Sequence, residues 1–137
     1  LEGAENIEVS VSSVLGNYNA EGKVSITPTN PKIVFYEKDP VRGIKYNEAI
    51  TDGFLMQKSA MVITALPYFF SALPGSSDLK YGWLINNSAI ATPETPNNLT
   101  IKVGSGSGNQ AKIALSIESL FKIFQTASVS ALLNIQQ

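Results

Sequence analysis

The chain has 137 residues, enough for one well-cored domain or for one domain with a fragment of another. Its 10 Lys and Arg nearly balance its 11 Asp and Glu, and only 15% of residues are charged, which disfavours nucleic acid and anionic lipid as partners. Cysteine and histidine are both absent, which excludes disulfides, thiolate metal sites and the commonest general base. No apolar run reaches 18 residues, so no membrane contact is expected from this segment.

The first thirty residues predict a β-hairpin. Residues 7–12 and 23–27 alternate apolar and polar side chains, and a Gly/Asn-rich turn at 16–19 separates them. A lone hairpin is only marginally stable in water, so this one is expected to complete a sheet. Pro28 to Pro31 then break the ladder and predict a stiff linker.

The two ends of the chain resemble each other. Ile7–Tyr18 matches Ile113–Phe124 in its apolar and serine positions, and a one-residue slip in the turn aligns Val24 with Val129. The offset of about 105 residues is the length of one sandwich domain. We therefore predict that residues 1–31 are the closing hairpin and linker of a preceding repeat, and that residues 32–137 form one β-sandwich. The hairpin could instead supply extra strands to a single enlarged domain.

The rest of the chain reads as about seven short strands spaced by turn signals. Residues 43–53 are predicted to be a long loop or an edge strand with Ile44 and Tyr46 turned inward. Residues 120–127 allow a helical turn as an alternative to a strand connection. The predicted strands include 32–40, 61–66, 78–87, 98–103, 112–118 and 127–135, and the Gly/Ser-rich stretch 104–109 is expected to be a hairpin turn. The sequence thus predicts an all-β, Ig-like antiparallel Greek-key sandwich.

Residues 78–87 organise the predicted core. Alternation places Tyr81 and the only tryptophan, Trp83, on the apolar face of a strand, where a sandwich needs large side chains between its sheets. Ile113, Leu115 and Ile117 alternate in the same way and are predicted to face the same core.

Several of these segments carry a family resemblance. The succession of Tyr81-x-Trp83, NLTIKV (98–103), a Gly-rich turn and the Ile-x-Leu-x-Ile strand at 113–117 resembles bacterial Ig-like domains of the PKD-like type. PKIVFYEKDP (31–40), PYFF (67–70) and LKYGWLIN (79–86) resemble tandem Ig-like modules of membrane-anchored bacterial surface proteins. The resemblance implies an extracellular, cell-surface module that spaces, assembles or adheres, and it carries over no catalytic residue.

The residue types that support catalysis or metal binding form no recognisable pattern. The loop GSGSGNQAK (104–112) lacks the Gly-Lys-Ser/Thr ending of a phosphate-binding loop. A serine nucleophile would have no histidine partner. Four acidic residues could gather at one end of the sandwich around calcium, although their spacing favours solvated loop charge: Glu37, Asp39, Glu48 and Asp52. We expect no enzyme activity and no cofactor.

Three adjacent aromatic residues, Tyr68, Phe69 and Phe70, suggest a contact surface. Neighbours on a strand alternate faces, so at least one of the three is expected near the surface, beside a partner domain, a sugar ring or another chain. The favoured function is a structural or adhesion module whose partners are neighbouring repeats or further copies. The alternatives are a carbohydrate-binding module using these residues or Tyr81, and a pilus-like subunit that assembles by donating residues 1–27 as strands.

Overall fold

The computed structural model describes residues 5–104 and 108–136. The chain divides into two compact units, residues 1–30 and 31–137. All regular structure among the described residues is β-strand, which confirms the all-β prediction. None of those residues forms a helix long and apolar enough to cross a membrane.

The first unit contains one antiparallel hairpin, β1 (Glu5–Ser12) and β2 (Asn19–Ile26). The pairing runs from Glu5 opposite Ile26 to Ser12 opposite Asn19. Because side chains alternate along a strand, this register gathers the apolar residues on one face of the hairpin and the polar ones on the other.

The described part of the second unit contains nine strands, two more than the approximate number predicted. They are β3 (Lys32–Asp39), β4 (Gly43–Ile50), β5 (Phe54–Met56), β6 (Ala60–Tyr68), β7 (Leu79–Ile85), β8 (Ser88–Ala89), β9 (Asn98–Lys102), β10 (Gln110–Ser119) and β11 (Thr126–Ile135).

These nine strands form the two sheets of a β-sandwich. One sheet has the order β4-β3-β6-β9 and the other the order β5-β11-β10-β7-β8. All pairings are antiparallel except that between β5 and β11, which is parallel and departs from the purely antiparallel arrangement predicted. The parallel pair is possible because the chain passes through both sheets between its two members.

The core lies between the two sheets and centres on Trp83. This side chain is only 1% exposed, and its ring stacks on Phe35 of the opposite sheet, with centroids 5.6 Å apart and planes 17° apart. Its indole N–H donates to the carbonyl oxygen of Pro96 at 2.8 Å, so burial leaves no unpaired donor. The other side chains predicted for the core are also buried: Tyr81, Ile113, Leu115 and Ile117.

The edge-strand alternative for residues 43–53 is confirmed, because β4 lies at the edge of the four-stranded sheet and leads into β5. The inward orientation predicted for Tyr46 was wrong, since this side chain is 63% exposed. The cause is a bulge: Tyr36 pairs with Ala49, but Lys38 already pairs with Ile44, so four residues of β4 lie opposite one of β3. Such a bulge interrupts the regular alternation of side chains between the two faces of the sheet.

The connection between β10 and β11 is a turn, and the helical alternative for residues 120–127 is wrong. The predicted hairpin turn at 104–109 falls partly outside the described residues, because 105–107 are not among them.

Candidate functional site

The hairpin of the first unit has one strongly apolar surface, which we call the hairpin face: Ile7, Val9, Val11, Val24 and Ile26. These side chains are 49–62% exposed. The opposite surface carries Asn6, Glu8, Ser10, Lys23 and Ser25. Such a division between faces is typical of a sheet with one side in a core.

The hairpin face corresponds, position by position, to the buried surface of β10–β11. Ile7 pairs with Val24 as Ile113 pairs with Ala131. Glu5 pairs with Ile26 as Ala111 pairs with Leu133. In the second unit, Ile113, Leu115, Ile117 and the β11 residues paired with them contribute to the core. The described residues of the first unit form no second sheet that could cover the hairpin face.

In the turns of both hairpins a serine hydroxyl accepts two backbone hydrogen bonds, although from N–H groups at different spacings along the chain. The hydroxyl oxygen of Ser13 accepts from the backbone N–H groups of Asn17 and Tyr18 at 3.1 and 3.3 Å. The hydroxyl oxygen of Ser119 accepts from Lys122 and Phe121 at 3.1 and 3.3 Å. Each serine N–H also closes its turn, by donating to Tyr18 O in the first hairpin and to Gln125 O in the second.

The turn lengths correct the predicted alignment. The serine-closed turn spans one residue more in the second hairpin than in the first, as the bonds Ser13 to Tyr18 and Ser119 to Gln125 show. The structural equivalent of Val24 is therefore Ala131 and not Val129. The two turns do differ by one residue, as predicted, but the second turn is the longer one, whereas the predicted alignment made it the shorter. The prediction rested on side-chain similarity alone.

A second surface lies on the outer side of the four-stranded sheet, and we call it the aromatic face: Lys32, Tyr36, Tyr46, Tyr68 and Phe69. The Tyr36 and Tyr46 rings lie 5.6 Å apart at 58°. The hydroxyl oxygens of Tyr36 and Tyr68 are 3.5 Å apart. The bulge in β4 brings Tyr46 to this face, whereas regular alternation would have turned it away.

Lys32 adds a positive charge to the aromatic face, beside Tyr68 and Phe69. Its Nζ lies 5.7 Å from the ring centroids of both Tyr68 and Phe69, within the range of cation–π attraction. It forms no ion pair with a carboxylate in the described part of the chain. The hydrogen bond with Tyr36, followed by partial burial, raises the pKa of Tyr68, so its hydroxyl is neutral at physiological pH.

The three aromatics of residues 68–70 separate as strand β6 ends. Phe69 has a left-handed backbone, with φ of 63°, and its side chain is 53% exposed. Phe70 packs against the core, and Tyr68 remains half-buried. Tyr81, a predicted alternative sugar contact, is only 6% exposed and its hydroxyl accepts from the Gly75 N–H at 2.8 Å. Tyr81 lies on the inward side of β7, as predicted for the core, and is therefore not accessible as a sugar contact.

The four acidic residues considered for calcium have separate roles. Glu37 bonds Lys45 at 2.9 Å and Lys58 at 2.5 Å. Asp39 accepts from two backbone N–H groups of the following turn, Asp52 accepts from the N–H of Leu132, and Glu48 is exposed. In residues 5–104 and 108–136 no three acidic side chains are grouped so as to hold a metal ion.

No protein-family model matches the chain, and a comparison with curated proteins finds no match. The two surfaces therefore have to be interpreted from their own chemistry.

Proposed function

We propose that the protein is a non-enzymatic structural module of a tandem array of Ig-like β-sandwiches at a cell surface. In this proposal the hairpin of residues 5–26 completes the sandwich of a neighbouring repeat, and residues 31–137 form the next repeat. The cell-surface location rests on the family resemblance of residues 31–40, 67–70 and 79–86.

The observation that carries the proposal is the exposed hairpin face and its counterpart in β10–β11. Five aliphatic side chains lie on one side of a two-stranded sheet, at positions whose counterparts at 113, 131 and 133 are at most 1% exposed. Exposed apolar surface of this kind marks an interaction site. The matched register and serine-closed turns favour the repeat over a chance likeness between two hairpins.

The strand order of the second unit supports an Ig-like module. The chain crosses repeatedly from one sheet to the other, and a short early strand, β5, pairs in parallel with the last strand, β11. β7, β10 and β11 stand side by side in one sheet while β3, β6 and β9 do so in the other. This connectivity is compatible with two-sheet Greek-key folds.

In the proposed array, the stiffness of the joint comes from residues 28–31. Proline at positions 28 and 31 restricts the backbone and removes two donors from any ladder. A short proline-bearing segment therefore limits the range of orientations between consecutive repeats. The mechanism is mechanical: each repeat holds the next at a defined spacing.

Adjacent residues of β1 provide a matched pair of variants for the test. Val9→Lys places a charge on the hairpin face, whereas Ser10→Lys places the same charge on the polar side of the same strand. We expect the full chain to bind a hydrophobic dye and to associate as concentration rises, because the described residues of the first unit supply no second sheet to cover the hairpin face. Val9→Lys should suppress both effects, and Ser10→Lys should leave them unchanged.

Equal behaviour of the two lysine variants would contradict the proposal. A mass that grows without limit as concentration rises would instead favour the pilus-like alternative, in which hairpins join successive copies into a filament. A closed dimer would indicate pairing of two hairpin faces.

A further inference from the structure

We propose that the aromatic face of the second unit binds an acidic polysaccharide, with pyranose rings on its aromatic side chains and a uronate carboxylate at Lys32. This inference does not depend on the hairpin face or on the tandem array. It assigns a ligand class to a surface that combines exposed rings, paired hydroxyls and an ammonium group.

The rings supply the apolar part of the site. Tyr46 and Phe69 are 63% and 53% exposed, and Tyr36 and Tyr68 lie half-buried between them in the sheet. Aromatic faces carry partial negative charge and attract the C–H groups that one side of a pyranose ring presents. Because Tyr36 packs on Tyr46 and pairs with Tyr68, the rings are held in place before any ligand arrives, which lowers the entropy cost of binding.

The hydroxyl groups supply the polar part. Tyr36 and Tyr68 share only one long hydrogen bond of 3.5 Å, so their oxygens keep capacity to accept from and donate to sugar hydroxyls. A sugar presents its own hydroxyls around the edge of an apolar ring face. The surface thus matches the amphipathic character of a pyranose better than that of a wholly aliphatic partner.

The charge of Lys32 selects among sugars. Its ammonium group is 5.7 Å from two rings of the face and forms no carboxylate pair among residues 5–104 and 108–136. A carboxylate on a ring stacked at Phe69 or Tyr68 would meet this charge and form a charge-assisted hydrogen bond. This complementarity favours a uronic-acid polymer over a neutral one, and it also favours the polymer over a lysine-rich protein surface.

The test measures binding of the full chain to polygalacturonate by affinity electrophoresis and calorimetry, with its methyl-esterified form as the uncharged matched ligand. We expect binding to the acid form, and a loss of at least about tenfold in affinity on Tyr46→Ala. Lys32→Gln should remove the preference for acid over ester. Tyr18→Ala, which alters a more exposed tyrosine of the first unit, should change neither quantity.

Each other outcome overturns the inference. Absence of binding to polygalacturonate and to a second uronic-acid polymer, alginate, would do so, as would binding that Tyr46→Ala and Lys32→Gln leave unchanged. Melting curves identify a variant that has lost its fold, in which case Tyr46→Leu, which keeps an apolar side chain but removes the ring, takes its place. Self-association lost on Tyr46→Ala but kept on Tyr18→Ala would assign the face to a second copy of the chain instead.

Discussion

Replacing Trp83 by alanine should destabilise the second unit by about 3 to 5 kcal/mol, the usual cost of emptying a large buried aromatic site. Trp83 is 1% exposed, stacks on Phe35 across the two sheets and donates to Pro96 O at 2.8 Å. Truncation therefore loses apolar burial, leaves a cavity between the sheets and removes the partner of a carbonyl. For a unit of this size, 1 kcal/mol corresponds to roughly 4 to 5 °C in Tm, so a fall of about 12 to 25 °C is expected.

The assay is urea unfolding followed by far-UV circular dichroism, because the variant has no tryptophan to report by fluorescence. Ile123→Ala is the matched control, since Ile123 is 89% exposed and its truncation should change stability by at most about 0.5 kcal/mol. Trp83→Phe keeps a ring but loses the hydrogen bond and should lie between the two. A loss below about 1 kcal/mol for Trp83→Ala would refute the inference that the two sheets pack around this side chain.

Three further predictions concern the second unit, and all are measured as free energies of unfolding. Gly75→Ala should cost more than Gly53→Ala: both backbones are left-handed, with φ of 76° and 85°, but only at Gly75 would a Cβ atom meet another group, Asn97 Oδ1 at 2.9 Å, and equal costs would contradict this. Burial has the largest single effect on the pKa of Glu37 and raises it, but the bonds to Lys45 and Lys58 together outweigh burial and leave the pKa below 4.5. Stability should therefore fall as the pH drops from 4.5 through the lowered pKa, and Glu37→Gln should make this fall smaller. Burial raises the pKa of Tyr81 above 10, despite the opposing effect of the Gly75 N–H bond. The stability that the neutral hydroxyl contributes is therefore full below pH 10 and should decline as pH rises through the raised pKa. Tyr81→Phe should remove this decline, and an unchanged pH profile in the variant would show that Tyr81 does not cause it.

The sequence predicted those parts of the fold that follow from side-chain alternation. The pattern along residues 79–85 and 111–117 has period 2, and one side of each of these strands is buried in the structure. The all-β class and the N-terminal hairpin are confirmed on the same basis. The Ig-like Greek-key assignment and the tandem repeat stay predictions.

Only part of the aromatic face could be predicted from the sequence. Tyr68 and Phe69 were predicted as contact residues, whereas Tyr46 joins them only through the bulge in β4. The extra residues of β4 reverse the direction of the Tyr46 side chain. The left-handed backbone at Phe69 separates its side chain from that of Phe70. Neither feature has a strong signal in the residues themselves, since Phe69 is neither glycine nor asparagine. Tyr36 was part of a predicted strand, but only the register with β4 and β6 shows which rings it touches.

The central claim is that the hairpin of residues 5–26 belongs to the sandwich of a neighbouring repeat and not to residues 31–137. Light scattering over a range of concentrations, on the full chain beside a chain that begins at Lys32, tests it most directly. The account predicts that the full chain associates, whereas the shorter chain is a monomer that melts cooperatively at the same temperature. If both chains are monomeric and removal of the hairpin unfolds the remainder, the hairpin is part of one enlarged domain and the account is contradicted.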